Sequence, residues 1–478
     1  MTRPRTAEDS LWLLIDRNKA IHHPLYTLFN KALVDNESRI RALMTFNRQY
    51  QDWMTLFPHS KEFLRKHLKN LLADISLTTN GEIEKVSSVI FSLKDKGDFS
   101  DVLFEKAKVL KFSAEYSDVG GKFKNLEFAD FSGAKNFNDF SFQNYPSLKN
   151  LSLANNEFEK IEDFSLQNVP TLNRFSLENA HVKKLTLNTL IDLKSLNLTN
   201  TKKLVECALH NMPELENILT SGSQVEKLTL GELLKLRILS LSGLKNLREC
   251  SLYNMPKLEN ILTSGSQVEK LTLSELLKLR TLSLSGLKNL KECSLYNMPE
   301  LENISLWNSP IEKLTLKKVA KLKNLELFEV ERLDELSLHD MARLKKLSLK
   351  NSGVKKATLD TLSRLDEVDL SGTPNLEQAI LKDLPNMKRF SLKQSSVQEV
   401  HLENMDALGE LDFSKLSMLE HVIFKGSFQN LKKISFENSA IKSITGLENL
   451  TQLEELNIKG TSLKIKSHQF KVIEDDQA

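Results

Sequence analysis

Two consecutive blocks of 43 residues, 212–254 and 255–297, differ at only four positions: Glu214/Lys257, Gly231/Ser274, Ile238/Thr281 and Arg248/Lys291. A block can be copied in tandem without breaking a fold only if its two ends face equivalent neighbours, so the fold must itself be periodic. Within the block a shorter pattern, L-x-x-L-x-L-x-x-φ, returns every 10 or 11 residues. It is clearest at Leu322, Leu325, Leu327 and Val330, then Leu333, Leu336, Leu338 and Met341. The L-x-L core is a strand signature, two leucines facing in and the residue between them facing out. From Phe164 to Leu456 the chain contains 28 such units.

Units this short cannot bury their own apolar face, so they stack into a solenoid. The block of 43 residues holds four units. Four must be a whole number of turns if copying is to leave every neighbour on its own face. Two units per turn satisfies this and three do not, which predicts parallel strands in two columns, 21–22 residues per turn. The array then makes about 14 turns or more at roughly 4.8 Å each.

The segments "LKNLSLANNEF" and "LTQLEELNIKG" resemble leucine-rich repeats, and the resemblance covers about residues 109–460. Short bacterial repeats with L-x-x-L-x-L in both halves are the most similar kind. "LQNVPTL", "LHNMPEL" and "LYNMPKL" also echo repeats with Asn two places after the strand. The family's internal Asn ladder would stand one place further on, where this chain has Met212, Leu233, Leu244 and Met255, interspersed with Ser223 and Ser266. That departure puts the ladder and the family's convex helices in question, not the solenoid.

Before Val109 the apolar residues fall at helical spacing, as in Leu64, Leu68, Leu71 and Leu72. Breaks at Pro24, Pro58 and the Asn-Gly of "TTNGE" (78–82) predict about five helices over residues 1–108, forming an N-terminal domain or cap. Residues 109–163 are a degenerate run-in, with Phe128, Phe140 and Phe142 in leucine places, and 461–478 form a polar tail. Residues 23–50 also resemble an F-box, the helical module that docks on a ubiquitin-ligase adaptor. The resemblance would make Pro24, Leu28, Ile40, Leu43 and Phe46 the adaptor-binding anchors, with Lys31 and Tyr50 departing from the pattern.

The remaining chemistry is sparse. Cys207, Cys250 and Cys293 are 43 residues apart and occupy the first inward place of L-x-L. Two turns of separation, roughly 10 Å, is too far for a disulfide or a shared metal, so they read as core thiols. The ten histidines form no metal-ligand motif, and no phosphate-binding glycine loop or nucleophile elbow appears. No catalytic residue, metal or cofactor is expected. With 66 basic against 63 acidic side chains, no net field favours nucleic acid. Runs of about 18 apolar residues are missing, so membrane insertion is not expected either.

Binding surfaces of solenoids are built from outward positions. Here these are mostly Ser and Thr, with exceptions in two rows. One row reads His210, Gly231, Tyr253, Ser274, Tyr296, Lys317, His339; the other reads Ser264, Ser285, Trp307, Phe328, Lys350. Aromatic and cationic side chains of this kind anchor protein interfaces, so Tyr253, Tyr296, Trp307, Lys317, Phe328 and His339 are the candidate partner-binding residues.

The leading reading is a non-enzymatic protein–protein interaction scaffold, monomeric and cytoplasmic. Its Lys/Asn/Phe-rich composition and short acidic tail resemble secreted bacterial effectors, which implies host-protein partners and delivery into a host cell without a cleaved signal peptide. The alternative is an F-box-like substrate receptor of a ubiquitin ligase. An enzyme in the N-terminal helices is a third class, for which the sequence announces no polar cleft.

Overall fold

The computed structural model describes residues 35–73, 80–97, 99–113, 125–133, 145–156 and 162–475, with Leu28, Leu33, Ile75 and Phe123. The chain forms two compact units, Met1–Ser223 and Gln224–Ala478.

The first unit opens with four described helices: α1 Asn36–Leu56, α2 Lys61–Ala73, α3 Asn80–Asp95 and α4 Ser100–Lys106. Asp35 starts α1 by accepting the Ser38 N–H at 2.6 Å in a capping box. Ile40, Leu43, Phe46, Tyr50 and Trp53 recur at helical spacing and bury one face of α1. Leu64, Leu68, Leu71 and Leu72 do the same for α2. The expected Asn-Gly turn is not a turn: Asn80 begins α3, and Gly81 lies inside its first helical turn. Flanking residues Ile83, Val86 and Ile90 are buried, so burial of this face outweighs the local turn preference.

Nine strands follow among the described residues of this unit: β1 Val109–Ser113, β2 Phe128–Gly133, β3 Asn150–Ser152, β4 Asp163–Gln167, β5 Arg174–Ser176, β6 Lys184–Asn188, β7 Ser195–Asn197, β8 Glu206–His210 and β9 Asn217–Leu219. All pairings are parallel, in two columns: β1-β2-β3-β5-β7-β9 and β4-β6-β8. Helix α3 packs on the exposed edge of β1. There Ser87 Oγ accepts the Lys111 N–H at 2.8 Å, and Phe91 meets Phe112 at 5.5 Å. The helices thus cover an edge strand that would otherwise be free to pair with another chain. In β2 the inward residues are Ala129 and Phe131, and Phe128 is only half-buried, which corrects the leucine place assigned to it. Phe140 and Phe142 lie outside the described residues.

The second unit continues with β10 Lys227–Gly231, β11 Ile238–Ser240, β12 Glu249–Tyr253, β13 Asn260–Leu262, β14 Lys270–Ser274, β15 Thr281–Ser283, β16 Glu292–Tyr296, β17 Asn303–Ser305, β18 Lys313–Lys317, β19 Asn324–Glu326 and β20 Glu335–His339. Twelve more run from β21 (Lys346–Ser348) and β22 (Lys356–Asp360) to β31 (Glu455–Asn457) and β32 (Lys471–Ile473). Lys227 pairs with Glu249 and Glu249 with Lys270, steps of 22 and 21 residues, so two units do make one turn. The strands from β4 to β31 number 28, one for each L-x-L unit.

From β10 to β22 every pairing joins five-residue strands to five-residue strands or three-residue strands to three-residue strands. The inward leucines of both columns are buried in one core, for example Leu228, Leu230 and Leu239. Almost every strand is followed by a residue with positive φ, eleven of them Asn, as at Asn211, Asn254 and Asn297. Asn and Gly tolerate this left-handed conformation, which explains the Asn two places after the strand. The next place is apolar and fully buried at Met212, Leu233 and Met255, so the core has methionine and leucine where the family's inner Asn ladder would be. Between the described strands of the repeats no α-helix occurs, and a short 3₁₀ turn at Leu447–Asn449 is the helical exception.

Turns leading into the five-residue strands alternate in length. Four residues separate Gly265 from Lys270 and five separate Gly286 from Glu292. The shorter turn carries a buried serine, at Ser223, Ser266, Ser309, Ser352, Ser395 and Ser439, and the longer carries Leu244, Leu287, Val330 or Thr373. The 43-residue block is therefore the structural repeat well beyond its two near-identical copies. The polar tail contains β32, which pairs in parallel with β31.

Candidate protein-binding surface

Odd positions of the five-residue strands face away from the core. In the second unit the fifth positions are in register as Gly231, Tyr253, Ser274, Tyr296 and Lys317; His210 is the fifth residue of β8 in the first unit. The Tyr253 ring lies against Gly231, where a β-carbon would come within 2.0 Å of Cζ. Burial, aided by the Glu232 carboxylate, holds the Tyr253 phenol above its ordinary pKa. This ring covers a neighbouring strand. Tyr296 follows Ser274 instead, where the added side chain denies it the same seat.

Lys317 is exposed and ends its sheet, because β18 does not pair with β20. His339 belongs to the following sheet, 3.7 Å from Asp360 and with its Nε2 2.8 Å from Ser337 Oγ. The expected row is therefore interrupted between Lys317 and His339.

Trp307 and Phe328 follow the three-residue strands β17 and β19, on the other sheet from the tyrosines. The six candidates are thus divided between two faces. Trp307 is 50% exposed, its ring centroid 6.3 Å from that of Phe328, and its Nε1–H donates to Glu329 Oε2 at 3.1 Å. The Glu329 acceptor was not evident from the row alone; its position, one turn beyond Asn308, is the only sequence signal for it. Ile238 and Leu262, on paired strands β11 and β13, are also exposed, at 57% and 50%. Ile238 could have been found as one of the four positions where the copied blocks disagree.

The proposed adaptor anchors are placed differently. Pro24 lies outside the described residues and Leu28 is half-buried. Ile40, Leu43 and Phe46 are buried in the helical core, where Phe46 meets Phe99 at 5.6 Å, so these three side chains are not presented at the surface. Cys207, Cys250 and Cys293 are buried free thiols whose pKa values burial pushes up to about 12. Among the described residues no three His, Cys, Asp or Glu side chains are grouped to hold a metal, and no helix is long and apolar enough to cross a membrane.

The model of the BspA-type leucine-rich-repeat region matches six copies, over residues 119–231 and 345–464. Over those residues the chain is built of leucine-rich repeats. The leucine-rich repeats between 232 and 344, which include the second of the near-identical blocks, lie outside those matches. No curated protein matches the sequence. Among solved structures it is similar to an internalin from Listeria monocytogenes, at 15% identity over 84% of this chain and 95% of that one, with a TM-score of 0.20. It is similar too to the chain in the TLR13–ssRNA13 complex, at 15% identity over 77% of each chain and a TM-score of 0.20. A third is the Toll–Spätzle complex of Drosophila, at 12% identity and a TM-score of 0.24; this chain aligns over 78% of its own length and spans 59% of that one.

Proposed function

We propose that this leucine-rich-repeat protein is a non-enzymatic scaffold that binds a protein partner through the outward face of its three-residue strands, with Trp307 as the anchor. The observation that carries this reading is the indole's preparation: half exposed, set beside Phe328, and held through its N–H by Glu329. A large amphipathic ring already oriented loses little conformational freedom on binding. Tyr253, seated on Gly231, contributes less, and Tyr296 and Lys317 stand on the other face. In the effector setting suggested by composition and tail, the partner would be a host protein.

The test is recovery of partners by the immobilised full chain. Trp307→Ala with Phe328→Ala should lose the partner while Tyr296→Ala retains it. Undiminished recovery by the double variant would overturn the anchor, and loss with Tyr296→Ala alone would move the surface to the opposite face.

A further inference from the structure

Between β18 and β20 the sheet of five-residue strands is parted, although the turns concerned remain joined on the other side by β17, β19 and β21. In intact turns two successive N–H groups donate to one carbonyl a turn earlier: Arg248 and Glu249 to Glu226 O, Lys355 and Lys356 to Asp334 O. The equivalent bonds from Asp334 and Glu335 to Glu312 O are missing. The inward leucines of β18, Leu314 and Leu316, are half-buried, whereas the corresponding Leu295 of β16 and Leu336 of β20 are buried. An ion pair, Arg332 Nη1 to Glu312 Oε1 at 3.4 Å, spans the entrance.

The seam therefore shows two strand edges with unmet main-chain groups above a strip of apolar surface. Such edges recruit an extended segment, whose alternate side chains take the inward places. The charges specify it further. Lys317 and Lys318, at the open end of β18, are exposed and form no ion pair, and His339 stands across the seam.

We propose that this seam binds an extended peptide segment of a protein partner, added as a strand to β18, with apolar residues at alternate places and an acidic residue after the second. The pattern is φ-x-φ-(Asp/Glu), in which the two apolar side chains cover Leu314 and Leu316 and the carboxylate meets Lys317. This rests on the protein-binding reading above and adds, on the sheet opposite Trp307, the chemistry of a second segment of the partner.

The test uses the full chain and a fluorescein-labelled peptide, Gly-Ser-Leu-Ser-Leu-Glu-Ser-Gly. In the free protein, the amide hydrogens directed into the seam, those of Leu314, Leu316, Glu335, Ser337 and His339, should exchange at least tenfold faster than those of β12 and β14, and the peptide should slow them by a similar factor. Lys317→Glu should weaken binding about tenfold, with recovery when the peptide's Glu is replaced by Lys. N-methylation of alternate peptide residues should abolish binding. If the seam amides are already as protected as β12, or if the peptide protects other residues, the proposal fails. Loss of partner by the Trp307/Phe328 variant alongside an unprotected seam would sink this inference and leave the scaffold reading standing.

Discussion

Tyr253 Cζ would lie 2.0 Å from a β-carbon at residue 231, and Gly231 is one of four residues that differ between the copied blocks. Glycine here gives room to a ring on the next strand. Its φ is not among the positive ones, so backbone freedom is not its role. Gly231→Ser should displace Tyr253 into the posture that Tyr296 has beside Ser274. Because the second copy tolerates that arrangement, the cost should be about 1 kcal/mol or less. The Tyr253 phenol, now raised chiefly by burial, should titrate at lower pH in the variant. Ultraviolet difference titration of tyrosinate checks this; an unchanged Tyr253 titration would contradict it.

The buried serines separate two effects. Ser309 Oγ donates to Leu284 O at 3.1 Å, whereas Ser352 Oγ has no hydrogen-bond partner. Removing a made hydrogen bond costs about 1 kcal/mol, and removing an unmade one relieves a desolvated hydroxyl. Ser309→Ala should therefore lower the Tm, and Ser352→Ala should leave it unchanged or raise it. Ser352→Leu should lower it by overpacking the short turn, at roughly 1–3 kcal/mol. Thermal melts of the three variants decide the matter.

Much of this was legible in advance because leucines carry it. The spacing of L-x-L dictates strands, and four units in a copied block dictate two per turn. The alternation of turn lengths was hidden by substitution, since the buried place accepts Leu244, Val330 or Thr373 in long turns while Ser223 and Ser352 mark short ones. The seam was not legible at all: "KLTLK" at 313–317 has the same pattern as "KLTLG" at 227–231, which is fully paired. Whether two adjacent turns close depends on how stacked side chains sum across both columns, which no single unit records. The division of Trp307 and Tyr296 between faces follows from the unit count, since alternate units stand on alternate sheets.

Burial raises the three cysteine thiols to about 12, so they remain protonated in the fold up to strongly alkaline pH. Once unfolded they ionise near the ordinary value of about 8.5. A folded pKa above the unfolded one gives stability that is complete below about 8.5 and is lost as pH rises toward the folded value. Denaturant midpoints should therefore fall progressively from about pH 8.5 upward, and replacement of Cys207, Cys250 and Cys293 by Ala should flatten that slope. At pH 7.5 none of the three should react with a disulfide reagent until denaturant is added. Rapid labelling of the native protein would show that the core opens at these strands.

Gly286 and Gly446 both have positive φ, 73° and 84°, yet their surroundings differ. Nothing lies within 4 Å of a β-carbon at Gly286, whereas one at Gly446 would fall 1.9 Å from Phe424 O. Gly286→Ala should cost about 1 kcal/mol, the left-handed penalty alone, and Gly286→Asn less, since Asn308 takes the same conformation one turn later. At Gly446 the penalty adds to a backbone clash that no rotamer relieves. The Phe424 carbonyl there also accepts the Asn449 side-chain amide at 3.1 Å, so moving the strand would break that bond as well. Gly446→Ala should cost about 2 kcal/mol or more and accelerate hydrogen exchange over 421–445 selectively. Equal melting shifts for the two alanine variants would mean that the carbonyl yields freely, and that the close approach at Gly446 constrains nothing.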